Sequence, residues 1–265
     1  MKDHRPHTRD ALFGGRLIIR QEQKGYRFSL DAILLAGLTR IGKGDRVIEL
    51  GAGCGVVPLI LAYRAKARGD SAGPGGSPAQ PGGRFHRPAR RIVGVEIQPE
   101  LAELARQNVG ENNLGDRIEV RQLDFRKISS VFEAETFDLA LSNPPYRKPG
   151  TGRINPASQK AVARHELTAT LADVFGAARY LLRPGGRAAL VYPSTRLPNL
   201  LRSAVDHGLS PKRLTLVYSY PLGRCRLVHL ECRKGAGEEL KVEQPFYIYD
   251  ENGQYSKEMQ KLYGD

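Results

Sequence analysis

A chain of 265 residues with 41 Lys and Arg against 28 Asp and Glu, a formal net charge of +13, can bury a full core and favours a polyanionic partner, nucleic acid above all. It has no apolar stretch long enough to span a bilayer, and its start, Met1-Lys2-Asp3-His4-Arg5-Pro6-His7, lacks the apolar segment of a secretory signal, so a cytoplasmic protein with no membrane role is expected. Cys54, Cys225 and Cys232 fit a reducing compartment as free core or near-core thiols, and without a C-x-x-C pair no metal site is expected.

In chain order, residues 1–24 read as a basic, loop-like N-terminal segment and 25–265 as the main domain. After Gly44 two kinds of segment alternate. Strands are expected at 46–50, 92–96, 117–122, 137–142, 187–192, 213–219 and 226–232, and helices at 55–67, 99–112, 166–182 and 195–207. Pro99 suits a helix start, and Gly185-Gly186 suits the stretch after a helix end. Such alternation predicts an α/β fold, a doubly wound and mostly parallel sheet with helices on both faces. The short connection 220–225 demands a hairpin, so one late strand should run antiparallel. The Gly/Pro-rich stretch 69–91 reads as a surface insertion, and 235–265 as a C-terminal extension.

Glu49-Leu50-Gly51-Ala52-Gly53-Cys54-Gly55 follows the first of these strands and opens the first helix. Glycines there admit a ligand close to the backbone, and a helix N-terminus offers free N–H groups. The next strand ends in Glu96, whose carboxylate suits the two ribose hydroxyls of an adenosine. Gly51 lies 45 residues before Glu96, against roughly 20 in dinucleotide folds, and removal of the insertion restores that distance. Asp124 suits the adenine amino group, with Phe125 or Ile97 flanking the ring. A nicotinamide dinucleotide would use similar parts, but the turn is G-x-G-x-G and lacks the G-x-G-x-x-G spacing of those folds.

The run 137–142 is followed by Asn143-Pro144-Pro145-Tyr146. Two prolines cannot extend a strand, so the chain turns there and presents an amide, a carbonyl and an aromatic ring together. That set suits alkylation of a planar NH2 group, whose lone pair is delocalised. The Asn143 side-chain oxygen and the Pro144 carbonyl can each accept one N–H, which localises the lone pair, while Tyr146 stacks on the base. Hydride transfer has no use for such a turn, so the donor is expected to be S-adenosylmethionine. Arg147, Lys148, Arg153, Lys160 and Arg164 then follow with no acidic residue before Glu166, placing positive charge where a phosphate backbone would lie.

Together these residues resemble the class I S-adenosylmethionine-dependent methyltransferases that modify amino groups. Three further segments are similar to the tRNA1(Val) adenine-N6 methyltransferase family: 25–35 (GYRFSLDAILL), Ala163-Arg164-His165-Glu166, and 249–256 (YDENGQYS). The resemblance spans nearly the whole chain except 69–91. It implies a Rossmann-like, seven-stranded sheet with the last strand antiparallel, and an adenine next to a tRNA anticodon as substrate. It implies that Phe28, Ser29 and Asp31 lie over the methionine end of the donor, that Gly51 and Gly53 line its backbone side, and that Glu96, Ile97, Asp124 and Phe125 hold its nucleoside. Asn143, bordering the donor, and Pro144 would grip the acceptor amine, with Tyr146 against its ring and Pro145, Arg147, Lys148 and Arg164 along the substrate. Asp31 equally suits a helix cap near Ala32, and Phe28 and Leu34 plain core. His165 is given no catalytic role, and Tyr180, Tyr192 and Tyr218 read as packing residues. A protein glutamine-N5 methyltransferase would use the same turn, but with a longer helical domain ahead of the glycine loop. A DNA adenine methyltransferase would want a separate recognition domain, and a non-catalytic RNA-binding protein would not need both the cofactor loop and the acceptor turn.

Overall fold

The computed structural model describes residues 7–23, 28–67, 92–144 and 169–264. The N-terminal part is not the loop expected of it. Strands β1 (His7–Leu12) and β2 (Leu17–Glu22) pair antiparallel, with Leu12 opposite Leu17. Between them Phe13, Gly14 and Gly15 take φ values of 54°, 61° and 83°, the left-handed region that two glycines enter at little cost. The alternation of buried Leu17 and Ile19 with more exposed neighbours was the available signal, and charge counting hid it.

The main sheet contains β3 (Val47–Leu50), β4 (Ile92–Glu96), β5 (Ile118–Gln122), β6 (Phe137–Ser142), β7 (Leu182–Pro193), β8 (Leu209–Tyr218) and β9 (Cys225–Lys234). Two short strands, β10 (Lys241–Val242) and β11 (Phe246–Tyr247), join it. The order is β10-β8-β9-β7-β6-β3-β4-β5, with β11 also on β8. Strand β9 runs antiparallel to both β7 and β8, as the short connection demanded, while β3 to β7 are parallel. The sheet therefore has nine strands among the described residues, where seven were expected. The extra two come from the C-terminal extension and cover the otherwise open edge of β8.

Helices α1 (Leu30–Leu38), α2 (Val56–Ala67), α3 (Pro99–Glu111) and α6 (Lys257–Tyr263) cover one face of the sheet with the hairpin, while α4 (Leu171–Leu181) and α5 (Leu197–Asp206) cover the other. Each face buries its own aliphatic cluster. Pro99 opens α3 as expected, and Thr170 and Asp173 form a reciprocal capping box on α4. Cys54 and Cys232 are buried and Cys225 half-buried, all three as free thiols. Tyr192 is buried, Tyr180 donates to the Phe132 carbonyl, and Tyr218 packs on Tyr247, so all three are packing residues as expected.

One side chain joins the hairpin to the glycine loop. Asn108 of α3 is fully buried; its Oδ1 accepts from the Arg20 backbone N–H at 2.8 Å, and its Nδ2 donates to the carbonyls of Arg20 and Cys54, both at 2.9 Å. Asn112 repeats the exchange with Ile18, at 2.8 Å and 2.6 Å. The carboxamides thus satisfy the edge of β2 as a neighbouring strand would. Asn108→Ala strands three backbone groups, the Cys54 carbonyl in a buried contact and the N–H and carbonyl of Arg20 in half-buried ones. The expected loss is about 3 kcal/mol, read as a melting temperature lowered by roughly 6–12 °C. A melting temperature within a degree of the unaltered protein would remove Asn108 from this role.

Candidate active site

The carboxyl ends of the parallel strands fix the site. Glu49 pairs with Gly94 of β4 and with Leu141 of β6, so the same register continued past these pairs brings Glu96, Gly51 and Asn143 to one edge of the sheet, Gly51 and Asn143 just beyond their strand ends. The Ser142 hydroxyl donates to the Leu50 carbonyl at 2.8 Å and ties the end of β6 to the start of the glycine turn. Asn143 is half-buried and Pro144 buried. The acceptor turn and the glycine loop thus open on one edge.

The glycine loop is held from beneath. Gly51 and Ala52 both donate to the Val95 carbonyl at 2.9 Å. Gly51, Gly53 and Gly55 have φ of 84°, 55° and 84°. A Cβ on Gly51 would meet nothing within 4 Å, so a glycine is required there for its backbone conformation and the space beside it stays open. Gly94, in the strand beneath, lets Ala52 approach: a Cβ on it would lie 3.1 Å from that of Ala52.

Two carboxylates sit under this loop. Glu96 is buried, and its oxygens accept from the Gly53 N–H and the Gln98 N–H, each at 2.9 Å. The Gln98 side-chain amide also donates to Oε1, at 3.5 Å, while Oε2 keeps a lone pair for a further donor such as a hydroxyl. Glu49, on the same face of the next strand, is 2 % exposed, and its Oε2 has no hydrogen-bond partner among the described residues. Burial, and then the charge of Glu96, hold its carboxyl well above the usual carboxylate range. Sequence reading passed over Glu49. The signal was an acid inside an otherwise apolar parallel strand, Val47-Ile48-Glu49-Leu50. Burial also pushes the Cys54 thiol up to about 12, so it is no nucleophile.

The remaining predicted residues fall into three groups. Phe28 packs against the core at the approach to α1, its N–H bonded to buried Gln21 at 3.0 Å, while Leu34 is core. Ser29, not Asp31, occupies the cap position of α1; Asp31 lies in the first turn, half-buried. Ile97 follows Glu96, and Leu123 donates to the Glu96 carbonyl, which brings Asp124 and Phe125 to the same edge. Asp124 is already engaged: both oxygens accept from Arg126, at 2.7–3.0 Å, which holds its carboxyl below the usual range. An adenine amino group would have to displace Arg126, a competition that the spacing did not reveal. Pro145, Tyr146, Arg147, Lys148, Arg153, Lys160, Arg164 and His165 lie outside the described residues, as does 69–91.

The arrangement fits an S-adenosyl nucleoside with an amino-acid tail. An orphaned buried carboxylate wants a cation or a donor, Glu96 has room for hydroxyls, and the open glycine turn admits a ligand. Among the described residues no group of His, Cys, Asp or Glu is arranged to hold a metal ion, and no helix is long and apolar enough to cross a membrane.

A methyltransferase-domain family model matches residues 41–214. The chain is 30 % identical over 255 residues to a tRNA1(Val) (adenine(37)-N6)-methyltransferase of Porphyromonas gingivalis, covering 93 % of this chain and 91 % of that protein. It is 29 % identical over 227 residues to one from Aeromonas hydrophila, covering 85 % and 84 %. A solved predicted O-methyltransferase of Agrobacterium tumefaciens superposes with a TM-score of 0.66 at 18 % identity, over 88 % of this chain and 95 % of that one, which bears on the fold alone. With its seven main strands in the order found, its glycine turn beside Asn143 and this likeness over almost its full length, the chain belongs to the class I methyltransferases, in the tRNA1(Val) adenine-N6 methyltransferase family.

Proposed function

We propose that this protein transfers a methyl group from S-adenosylmethionine to N6 of an adenine in tRNA, the adenine beside the anticodon. The observation that carries the reading is the meeting of Glu96, Gly51 and Asn143 at one edge of the sheet, above the orphaned carboxylate of Glu49. When bound, S-adenosylmethionine would supply a methyl already electrophilic on its sulfonium, the S–CH3 bond breaking as the N–CH3 bond forms and S-adenosylhomocysteine leaving as the product. Glu49 holds the ammonium of its amino-acid tail, Glu96 its ribose hydroxyls, and Phe28, Ser29 and Asp31 close over the tail from the start of α1. Ile97 and Phe125 flank the adenine ring, with the Asp124–Arg126 pair at its edge.

The residues of the acceptor turn then activate the nucleophile. The Asn143 side-chain oxygen and the Pro144 carbonyl accept the two amine protons and localise the nitrogen lone pair. Tyr146 stacks on the base, and the target adenine leaves its loop stack to reach them, at lower cost than in a duplex. One proton departs after attack, so no general base is required. Arg147, Lys148 and Arg164 pair with phosphates along the strand, with Pro145 against the base.

Labelled-methyl transfer onto tRNA from cells lacking this protein, followed by digestion to nucleosides, tests the reading. N6-methyladenosine in one tRNA is the expected product. Label recovered instead in glutamine of a protein fraction would select the glutamine-N5 alternative. A chain that binds S-adenosylmethionine in calorimetry yet labels neither would be no tRNA methyltransferase, and one that fails to bind it would be a non-catalytic RNA-binding protein on this fold.

A further inference from the structure

The active-site edge carries an aromatic feature that the reaction chemistry does not use. Four tyrosine rings stack in series: Tyr220 on Tyr249 at 5.0 Å, Tyr249 on Tyr255 at 5.3 Å, and Tyr255 on Tyr263 at 5.3 Å, with interplanar angles of 24°, 11° and 19°. The stack runs from the β8–β9 hairpin to α6, whose Met259 and Leu262 are buried. Its middle is fixed by a β-bridge between Tyr249 and Tyr255 and by Asp250, which accepts from the N–H groups of Asn252 and Gln254. At the outer end, 48 % of Tyr220 is exposed.

The hairpin tip beside it is strained and apolar. Tyr220-Pro221-Leu222-Gly223 closes a β-turn, the Gly223 N–H bonding the Tyr220 carbonyl at 3.1 Å. Leu222 sits at the third position with φ of 62°, where glycine or asparagine is usual, and its side chain is fully exposed. Solubility and backbone conformation both disfavour a leucine at that point. The two charges of segment 219–226, Arg224 and Arg226, are both positive and exposed.

Register places this tip on the same edge of the sheet as the site, with β7 and β9 between β6 and β8. Asn143 lies one residue past the Ser142–Leu190 pair, level with Val191, which pairs through His229 with Thr215 of β8. Strand β8 runs three residues beyond Thr215 to Tyr218, roughly 10 Å above the level of Asn143, and Tyr220 follows that end. The hairpin tip therefore projects from the edge of the sheet that also carries Asn143.

We propose that Tyr220 and Leu222 are a stacking wall for the RNA strand flanking the target adenine. A neighbouring base lies on the open side of Tyr220, which the tyrosine stack keeps from yielding. Leu222 fills the space that the extruded adenine leaves in the loop stack, and Arg224 and Arg226 face phosphates. The inference rests on the tRNA-methylating reading above.

The test uses the full chain and an unmodified tRNA transcript. Tyr220→Ala should lower kcat/KM for tRNA roughly tenfold through KM, with Tyr220→Phe within about twofold of the unaltered protein. Leu222→Gly should also lower kcat/KM for tRNA about fivefold while leaving the melting temperature equal or higher, because it releases the turn's strain. S-adenosylmethionine affinity should not change in any of the three. Unaltered kcat/KM in both Tyr220→Ala and Leu222→Gly overturns the wall; should Tyr220→Ala fail to fold, Leu222→Gly decides alone. Failure of the unaltered chain to methylate any tRNA would instead overturn the function on which the wall rests.

Discussion

Asn143→Ala is expected to lower kcat by roughly 10²–10³-fold while changing S-adenosylmethionine affinity less than about twofold. A positioned polar group aimed at the reacting centre contributes on that scale, and the other contacts proposed for the donor lie on other elements. The substitution leaves the Ser142–Leu50 tie and the Val95–Gly51 bond in place, so the glycine loop keeps its shape. Single-turnover methylation with calorimetry on the same preparation separates the two effects. Normal turnover would take Asn143 out of the chemistry. Equal losses of turnover and donor affinity would make it a cofactor ligand only.

Glu49→Gln should make the ligand-free protein more stable and the liganded one less so. In the ligand-free chain Glu49 is buried with an unpartnered oxygen beside Glu96, and its carboxyl is held well above its ordinary value of 4.5. The folded state therefore keeps this proton to a higher pH than the unfolded state does. Its contribution to stability is fully present below the ordinary value and is lost as pH rises through the raised folded one. The amide mimics the protonated acid and does not titrate. At neutral pH it should spare about 1–3 kcal/mol, a melting temperature higher by roughly 3–8 °C, and the decline above pH 4.5 should flatten. Loss of the charge opposite the ligand's ammonium should weaken S-adenosylmethionine binding on the order of 30-fold or more. Thermal melts from pH 5 to 8, with and without ligand, check both signs. A variant that binds normally and melts no higher leaves Glu49 without the assigned partner.

The main strands and most helices were legible in the chain because their signals are local. Val47-Ile48-Glu49-Leu50 and Ile92-Val93-Gly94-Val95-Glu96 are apolar runs bounded by glycine-rich turns, and Pro99 marks its helix start. The N-terminal hairpin was missed because a surplus of charge is no measure of local structure, and Gly14-Gly15 was the better guide. Strands β10 and β11 were missed because two residues carry no periodicity; they are strands only because β8 offers them an edge.

The sequence by itself determined the chemistry on offer: a glycine turn, an acid at Glu96, and an amide and carbonyl at Asn143-Pro144, all residue types placed at strand ends. Only the tertiary structure decided which of these meet, since register between strands distant in sequence sets Glu96, Gly51 and Asn143 at one edge. It also decided which charges are satisfied. Asp124 is taken by Arg126, two residues on, and the Glu49 Oε2 has no partner among the described residues, because hydrogen bonding and desolvation depend on what surrounds a side chain in space.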